Sequence, residues 1–251
     1  MINLFRDIRN RFLNESKFGK YLTFILGEII LIVIGILIAL SIDNWNESVK
    51  EHKKAELLIV RIHKQIGQNL LQSQQNILQL ENRIEGMIVL MSMIGPQSVN
   101  QNEKLLDSLI TTSLKDYDIG LDLNTLIEAQ ANGEIALIKN DSIRIALYKL
   151  SAMVSHIGRR ENIANSDLNN FLVPYLYKNA NCRNISTVVD DDYKKLVGYS
   201  KLDPTNYSKI LSDREFENLI DNRIFYALST IDLYRDLKTH LENIIELSEE
   251  K

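Results

Sequence analysis

One cysteine, three prolines and ten glycines are spread over 251 residues, and aromatic residues make up only 7%. The single cysteine, Cys182, excludes an intramolecular disulfide and any zinc site built on paired thiolates. So little proline and glycine argues against sandwiches, barrels and glycine-rich loop folds, and for helices. No G-x-G-x-x-G or Walker-type phosphate loop occurs. There is no G-x-S-x-G elbow, no H-x-x-x-H or H-E-x-x-H pair, and no E-x-x-H pattern of the di-iron kind. A surplus of basic residues is missing too. The net charge is -4, which makes nucleic acid an unsuitable partner, because phosphate binding needs concentrated Lys and Arg.

What is present is unevenly distributed. Hydrophobic residues at 45% and charged residues at 25% are ordinary averages. They exclude a polytopic membrane protein and a disordered chain, but a whole-chain mean hides a single span. Residues 21–42 read YLTFILGEIILIVIGILIALSI, with Glu28 as their one charge. At about 1.5 Å per residue they reach roughly 33 Å, enough for the hydrocarbon core of a bilayer. Two other readings compete. A buried core helix is disfavoured by the unbroken run from Ile29 to Ile42. A cleaved signal peptide finds a small-x-small site at Ala39-Leu40-Ser41, but the apolar run exceeds the usual 7–15 residues. Tyr21 at one end and Trp45 at the other suit the two membrane interfaces.

Residues 1–20 hold five basic and two acidic side chains. The Lys and Arg bias before Tyr21 places the N-terminus in the cytoplasm and residues 43–251 outside it. Ile2, Phe5, Ile8 and Phe12 share one helical face, so 1–20 is expected as a basic amphipathic helix on the inner leaflet. A charged flank of a signal anchor is the alternative.

Glu28 is the most unusual residue. A charge within the hydrocarbon costs a few kcal/mol, so it needs a partner or a purpose. Glu28, Ile32, Gly35 and Ala39 fall on one face, and Gly35-x-x-x-Ala39 lets another helix approach closely. Three readings follow. Glu28 reaches the inner headgroups, or lies in a helix–helix interface, or couples ion flow as in single-pass stator subunits.

Beyond the span the pattern is helical. From Glu47 to about Met93, positions 59, 63, 66, 70, 73, 77, 80, 84, 87, 91 and 94 form a seam of coiled-coil spacing that Gly95-Pro96 ends. Asn102 caps a short helix to about Lys115. A second runs from Asp122 to Ala131 and stops at Asn132-Gly133. Asn140 opens a long helix that Pro174 kinks or closes. Residues 179–211 are expected as loops with one or two short helices. Ser212-x-x-Glu215 forms a capping box for a last helix to about Glu249. The expected fold is all-α: one N-terminal transmembrane helix, then an elongated up-and-down helical bundle over 43–251.

Chemistry-bearing residues are scattered. His63, His156 and His240 lie on three helices, and a metal held across the bundle is weaker than satisfied core or boundary histidines. Asp190-Asp191-Asp192 reads as a solvated loop before a cation site. Cys182 beside Arg183 lacks an identifiable base for an activated thiol. No catalytic residue, cofactor site or metal site is assigned.

The segment GEIILIVIGILIALSIDNWNE, residues 27–47, resembles the anchor of an uncharacterised bacterial family of single-pass inner-membrane proteins with a domain of unknown function. NGEIALIKNDSIRIALYKL, residues 132–150, is similar to a recurrent pattern of the same family. The resemblance implies an inner-membrane location with the C-terminal domain in the periplasm, and it carries no activity. The expected function is therefore a non-enzymatic interaction or sensing module. Its partners are the lipid bilayer and either a second copy or another membrane protein. A stator-like accessory subunit of a transport complex using Glu28 is the second possibility, and a periplasmic enzyme the third.

Overall fold

The structure is a computed structural model that describes residues 17–95, 102–186 and 191–249. The amphipathic helix expected over 1–20 falls almost wholly outside these residues, as do Asp190 and the side chain of Tyr21. The fold is all-α, and no strand occurs among the described residues. The helices are α1 (Lys17–Ser92), α2 (Glu103–Ser113), α3 (Asn124–Ala131), α4 (Asp141–Asp167), α5 (Val173–Asn179), α6 (Cys182–Ser186), α7 (Asp191–Val197), α8 (Tyr207–Leu211) and α9 (Arg214–Glu249). The chain forms two compact units, Met1–Leu57 and Leu58–Lys251.

In the first unit the apolar part of α1 is exposed on every side. Its most apolar 18-residue window has a mean hydropathy of 2.9, and none of it is buried. By length and composition this helix is able to cross a membrane. The Ser41 hydroxyl is satisfied within the helix, donating to Leu37 O at 2.7 Å.

In the second unit α1 contributes Leu58, Ile62, Ile66, Ile77, Leu80, Ile84, Met87 and Leu90 to the core. Asn69 and Ser73 lie on the same buried face. These positions drift at close to the ordinary helical period of 3.6, not the 3.5 of a strict heptad. The expected seam is met in its middle and displaced at its N-terminal end, where Leu58 and Ile62 are buried in place of Ile59 and His63. Gly95 follows the helix with φ +141°, which favours glycine.

Local chemistry sets most boundaries. Asn102 Oδ1 accepts from the N–H groups of Lys104 and Leu105, and Asn140 Oδ1 from those of Ser142 and Ile143. The turn after α3 places Gly133 at φ +71°. One expectation needs correction, and the two alternatives at Pro174 are narrowed to one. The cap of α9 is Asp213, whose Oδ1 accepts from Glu215 N–H at 2.9 Å, while Ser212 Oγ donates backwards to Ser208 O. Pro174 does not close α4. A π turn over Leu168–Leu172 widens the helix just before it, and α5 continues to Asn179.

α4 and α9 pack antiparallel, tied by Arg160 to Ser229, Asp167 to Asn222, and Ala146 to His240. The core forms two apolar clusters. One gathers around Leu147, Leu150, Ile157, Ile231 and Leu237, the other around Leu106, Ile110, Leu172, Leu176 and Phe216.

Candidate functional site

Polar side chains stand where the two clusters meet. On α9 the buried positions run 216, 220, 223, 227, 230, 234, 237, 241 and 244, flanked by the also buried 231 and 240. Arg223, Thr230 and Tyr234 therefore occupy core positions of the last helix.

Arg223 is 1% exposed and forms no ion pair with a carboxylate among the described residues. Its Nε donates to Ser113 O at 3.1 Å, Nη2 to Lys115 O at 2.9 Å and Nη1 to Ala164 O at 3.0 Å. Ser113 ends α2, so the guanidinium satisfies the negative end of that helix. The ring of Tyr117 stacks 4.5 Å from the guanidinium carbon, and its hydroxyl donates to Arg223 O. Burial pushes the Arg223 pKa down, but guanidinium stays charged at any ordinary pH.

Glu161 of α4 is 7% exposed. Its Oε1 accepts from Ile119 N–H at 2.8 Å and from the Tyr234 hydroxyl. Burial raises the Glu161 carboxyl above its ordinary range; the Tyr234 bond partly opposes this. Burial and Glu161 together push the Tyr234 hydroxyl far upward.

These groups grip one irregular stretch, residues 115–123. Asn165 takes both the N–H and the C=O of Tyr117, each at 2.9 Å. Asn69 does the same for Asp122, at 3.0 and 2.7 Å. Asn76 Nδ2 donates to Ile119 O and Arg83 Nη1 to Asp116 O. The spacing is physical: seven residues of helix rise about 10 Å, the reach of three extended residues. Positions 69, 76 and 83 thus meet 122, 119 and 116. A cavity of about 50 Å³ lies here, beside Asn76, Arg83, Tyr117 and Tyr234. That holds a water or two and no substrate. The polar centre is a clamp for backbone that has no helix of its own.

Thr230 Oγ1 is fully buried beside this centre without a hydrogen-bond partner. Thr230→Val is therefore expected to stabilise the chain by about 1 kcal/mol, read as a higher urea midpoint at unchanged helical signal.

A second polar place lies in the open groove between α4 and α9. Lys149, His156, Asp236, Thr239, His240 and Asn243 line about 620 Å³ over a floor of Met153, Ile157 and Leu233. His240 Nε2 lies 2.8 Å from Ala146 O. A carbonyl only accepts, so Nε2 carries the proton.

The histidines do not converge. His63 Nδ1 bonds Ser248 Oγ at 2.6 Å, well apart from the groove's pair. Among the described residues no three His, Cys, Asp or Glu side chains gather as a metal site. Cys182 is half-buried, and burial raises its thiol pKa, the opposite of activation. Of the residues expected to line a membrane span or its interfaces, Glu28, Ile32, Gly35, Ala39 and Trp45 are all exposed on α1. A Cβ added at Gly35 meets nothing within 4 Å.

Residues 28–170 match the family of unknown function DUF6090. The chain belongs to this family. The match takes in the apolar stretch from Glu28 onward, α2, α3, and α4 with Glu161 and Asn165; it leaves Arg223 and Tyr234 outside. The comparison with curated proteins gives no match, and neither does that with solved structures.

Both polar places are poorly visible in sequence. Glu161 falls on the 4/3 spacing that runs from Ile143 through Leu147, Leu150, Val154 and Ile157 to Ala164, as its one charge. Arg223, Thr230 and Tyr234 are found by following the 4/3 spacing back from Leu237 to Phe216, accepting polar residues in it.

Proposed function

We propose that this DUF6090 member is a membrane-anchored, non-enzymatic interaction or sensing module. Residues 21–42 cross the inner membrane of a bacterium, the N-terminus faces the cytoplasm, and 43–251 form an up-and-down helical bundle in the periplasm. The observation that carries the anchor is the exposed apolar window of α1. Each Leu or Ile removed from water contributes about 1.5–3 kcal/mol, so more than a dozen such side chains outweigh by far the few kcal/mol that Glu28 costs. The open Gly35 position, with Glu28 and Ala39 on the same face, suits a second helix in the bilayer, from another copy or another membrane protein. The absence of catalysis rests on the polar centre, whose groups are spent on backbone.

Alkaline extraction is expected to leave the chain with the membranes, and a chain beginning at Asn44 to be soluble. For orientation, Leu202→Cys in a Cys182→Ser background is expected to react with an impermeant maleimide on intact inner membranes, since Leu202 is 81% exposed. Asn10→Cys reacts only after lysis. Release of the full chain by alkali removes the anchor; the reverse labelling pattern removes the orientation.

A further inference from the structure

The groove between α4 and α9 belongs wholly to the unit Leu58–Lys251, so its occupancy and the membrane anchor stand or fall separately. Its volume of about 620 Å³ lies within the range of sites for drug-sized molecules and exceeds what a free amino acid fills. Its floor is apolar, formed by Met153, Ile157 and Leu233. Its rim carries one ammonium, Lys149, and one carboxylate, Asp236. Neither makes an ion pair or hydrogen bond with the described chain, although neighbouring Arg235 is bound to Glu81 and Asp232. Thr239 spends its hydroxyl on Arg235 O. His240 is 8% exposed and commits Nε2–H to Ala146 O, which leaves Nδ1 as an acceptor without a partner. Asn243 is uncommitted as well.

We propose that this groove binds a short apolar peptide with both termini free. The geometry offers opposite unpaired charges over one apolar floor, and an imidazole acceptor fixed in its tautomer. The peptide's ammonium pairs with Asp236 and its carboxylate with Lys149, with His156 beside them. Its apolar side chains cover Met153, Ile157 and Leu233. His240 Nδ1 accepts one N–H of the peptide. A purely anionic ligand leaves Asp236 repelling it, and a purely apolar one leaves both charges without function. The proposal gives the sensing module a ligand and rests on that reading only to this extent.

Isothermal titration of the full chain in detergent with the dipeptide Leu-Leu tests it. Saturable binding is expected. N-acetyl-Leu-Leu and Leu-Leu-amide bind roughly tenfold weaker or worse, as loss of a charge-assisted hydrogen bond requires, and Gly-Gly does not bind. Asp236→Asn weakens Leu-Leu by a similar factor and leaves N-acetyl-Leu-Leu unchanged. Lys149→Met weakens Leu-Leu and leaves the amide unchanged. Both positions are exposed, so circular dichroism is expected to be unaltered. The proposal is overturned by absent saturation, by capped peptides binding as tightly as free ones, or by either variant weakening capped and free peptides alike.

Discussion

Arg223→Met is expected to cost the fold about 3–5 kcal/mol. The cost is not that of an ion pair, since the guanidinium forms none with a carboxylate among the described residues. It is that of three carbonyls, on Ser113, Lys115 and Ala164, that lose their donors in a place closed to water. Each buried acceptor left alone costs about 1–3 kcal/mol, and the removal of a desolvated charge offsets part of the sum. For a unit of this size the loss lowers the melting temperature by on the order of 10 °C. Arg223→Lys rescues little, because one ammonium on a flexible stem does not reproduce a planar fork aimed at two segments. Thermal melts of the full chain in detergent, followed at 222 nm, give the total. Hydrogen exchange gives the mechanism: the end of α2 and residues 115–119 are expected to lose protection before the ends of α9. Uniform loss along all helices, or a melting temperature within a degree or two of the parent, removes the assigned role.

Such a residue was hard to see beforehand, and the reason is topological. The helices themselves are written locally. Asn102 and Asn140 announce α2 and α4 through side-chain oxygens that reach only two or three residues ahead. Gly133 announces the end of α3 by a conformation other residues resist. The apolar stretch of α1 declares itself by length alone. What fails is whatever depends on partners distant in sequence. Ser212 and Asp213 are both competent caps, and the choice between them falls to Asp213 because Ser212 turns its hydroxyl back onto α8. The register of α1 drifts by one residue at the N-terminal end of its buried face, since a strict 4/3 template does not follow a 3.6 period across four turns or more. Arg223 meets carbonyls 59 to 110 residues away. Nothing near it in sequence shows that residues 115–123 leave the helical path and present bare backbone to the core. The 4/3 spacing of α9 marks Arg223 as a core position, but only the packing of α2 against it explains why the position is charged. The groove between α4 and α9 is illegible for the same reason, since Lys149 and Asp236 come to line one groove only through antiparallel packing.

Both acidic and neutral forms of residue 161 fit the clamp, and this makes Glu161 a test of what the carboxylate does. Glu161→Leu orphans the Ile119 N–H and the Tyr234 hydroxyl and is expected to cost about 2–4 kcal/mol. Adding Tyr234→Phe to it recovers part of the loss, because one of the two orphans is then gone. Glu161→Gln keeps an acceptor oxygen at the same place and carries no charge, so at neutral pH it is expected to be as stable as the parent or more so. The sign of the pH dependence follows from burial, the largest influence on this group, which raises its pKa above the ordinary 4.5. In the window between that value and the folded-state pKa, the folded chain holds a proton that the unfolded chain has released. Stability from this group is complete below about 4.5 and is lost as pH rises through the folded-state pKa. Asp107, also raised by burial, acts in the same direction in both proteins and cancels from their difference. Urea midpoints of parent and Glu161→Gln at pH 7.5 and at about pH 5 isolate the effect: the parent gains on the variant as the pH falls. Parallel pH profiles for the two proteins would show that Glu161 is solvated as freely in the folded chain as in the unfolded one, and the clamp on residues 115–123 would then need another anchor.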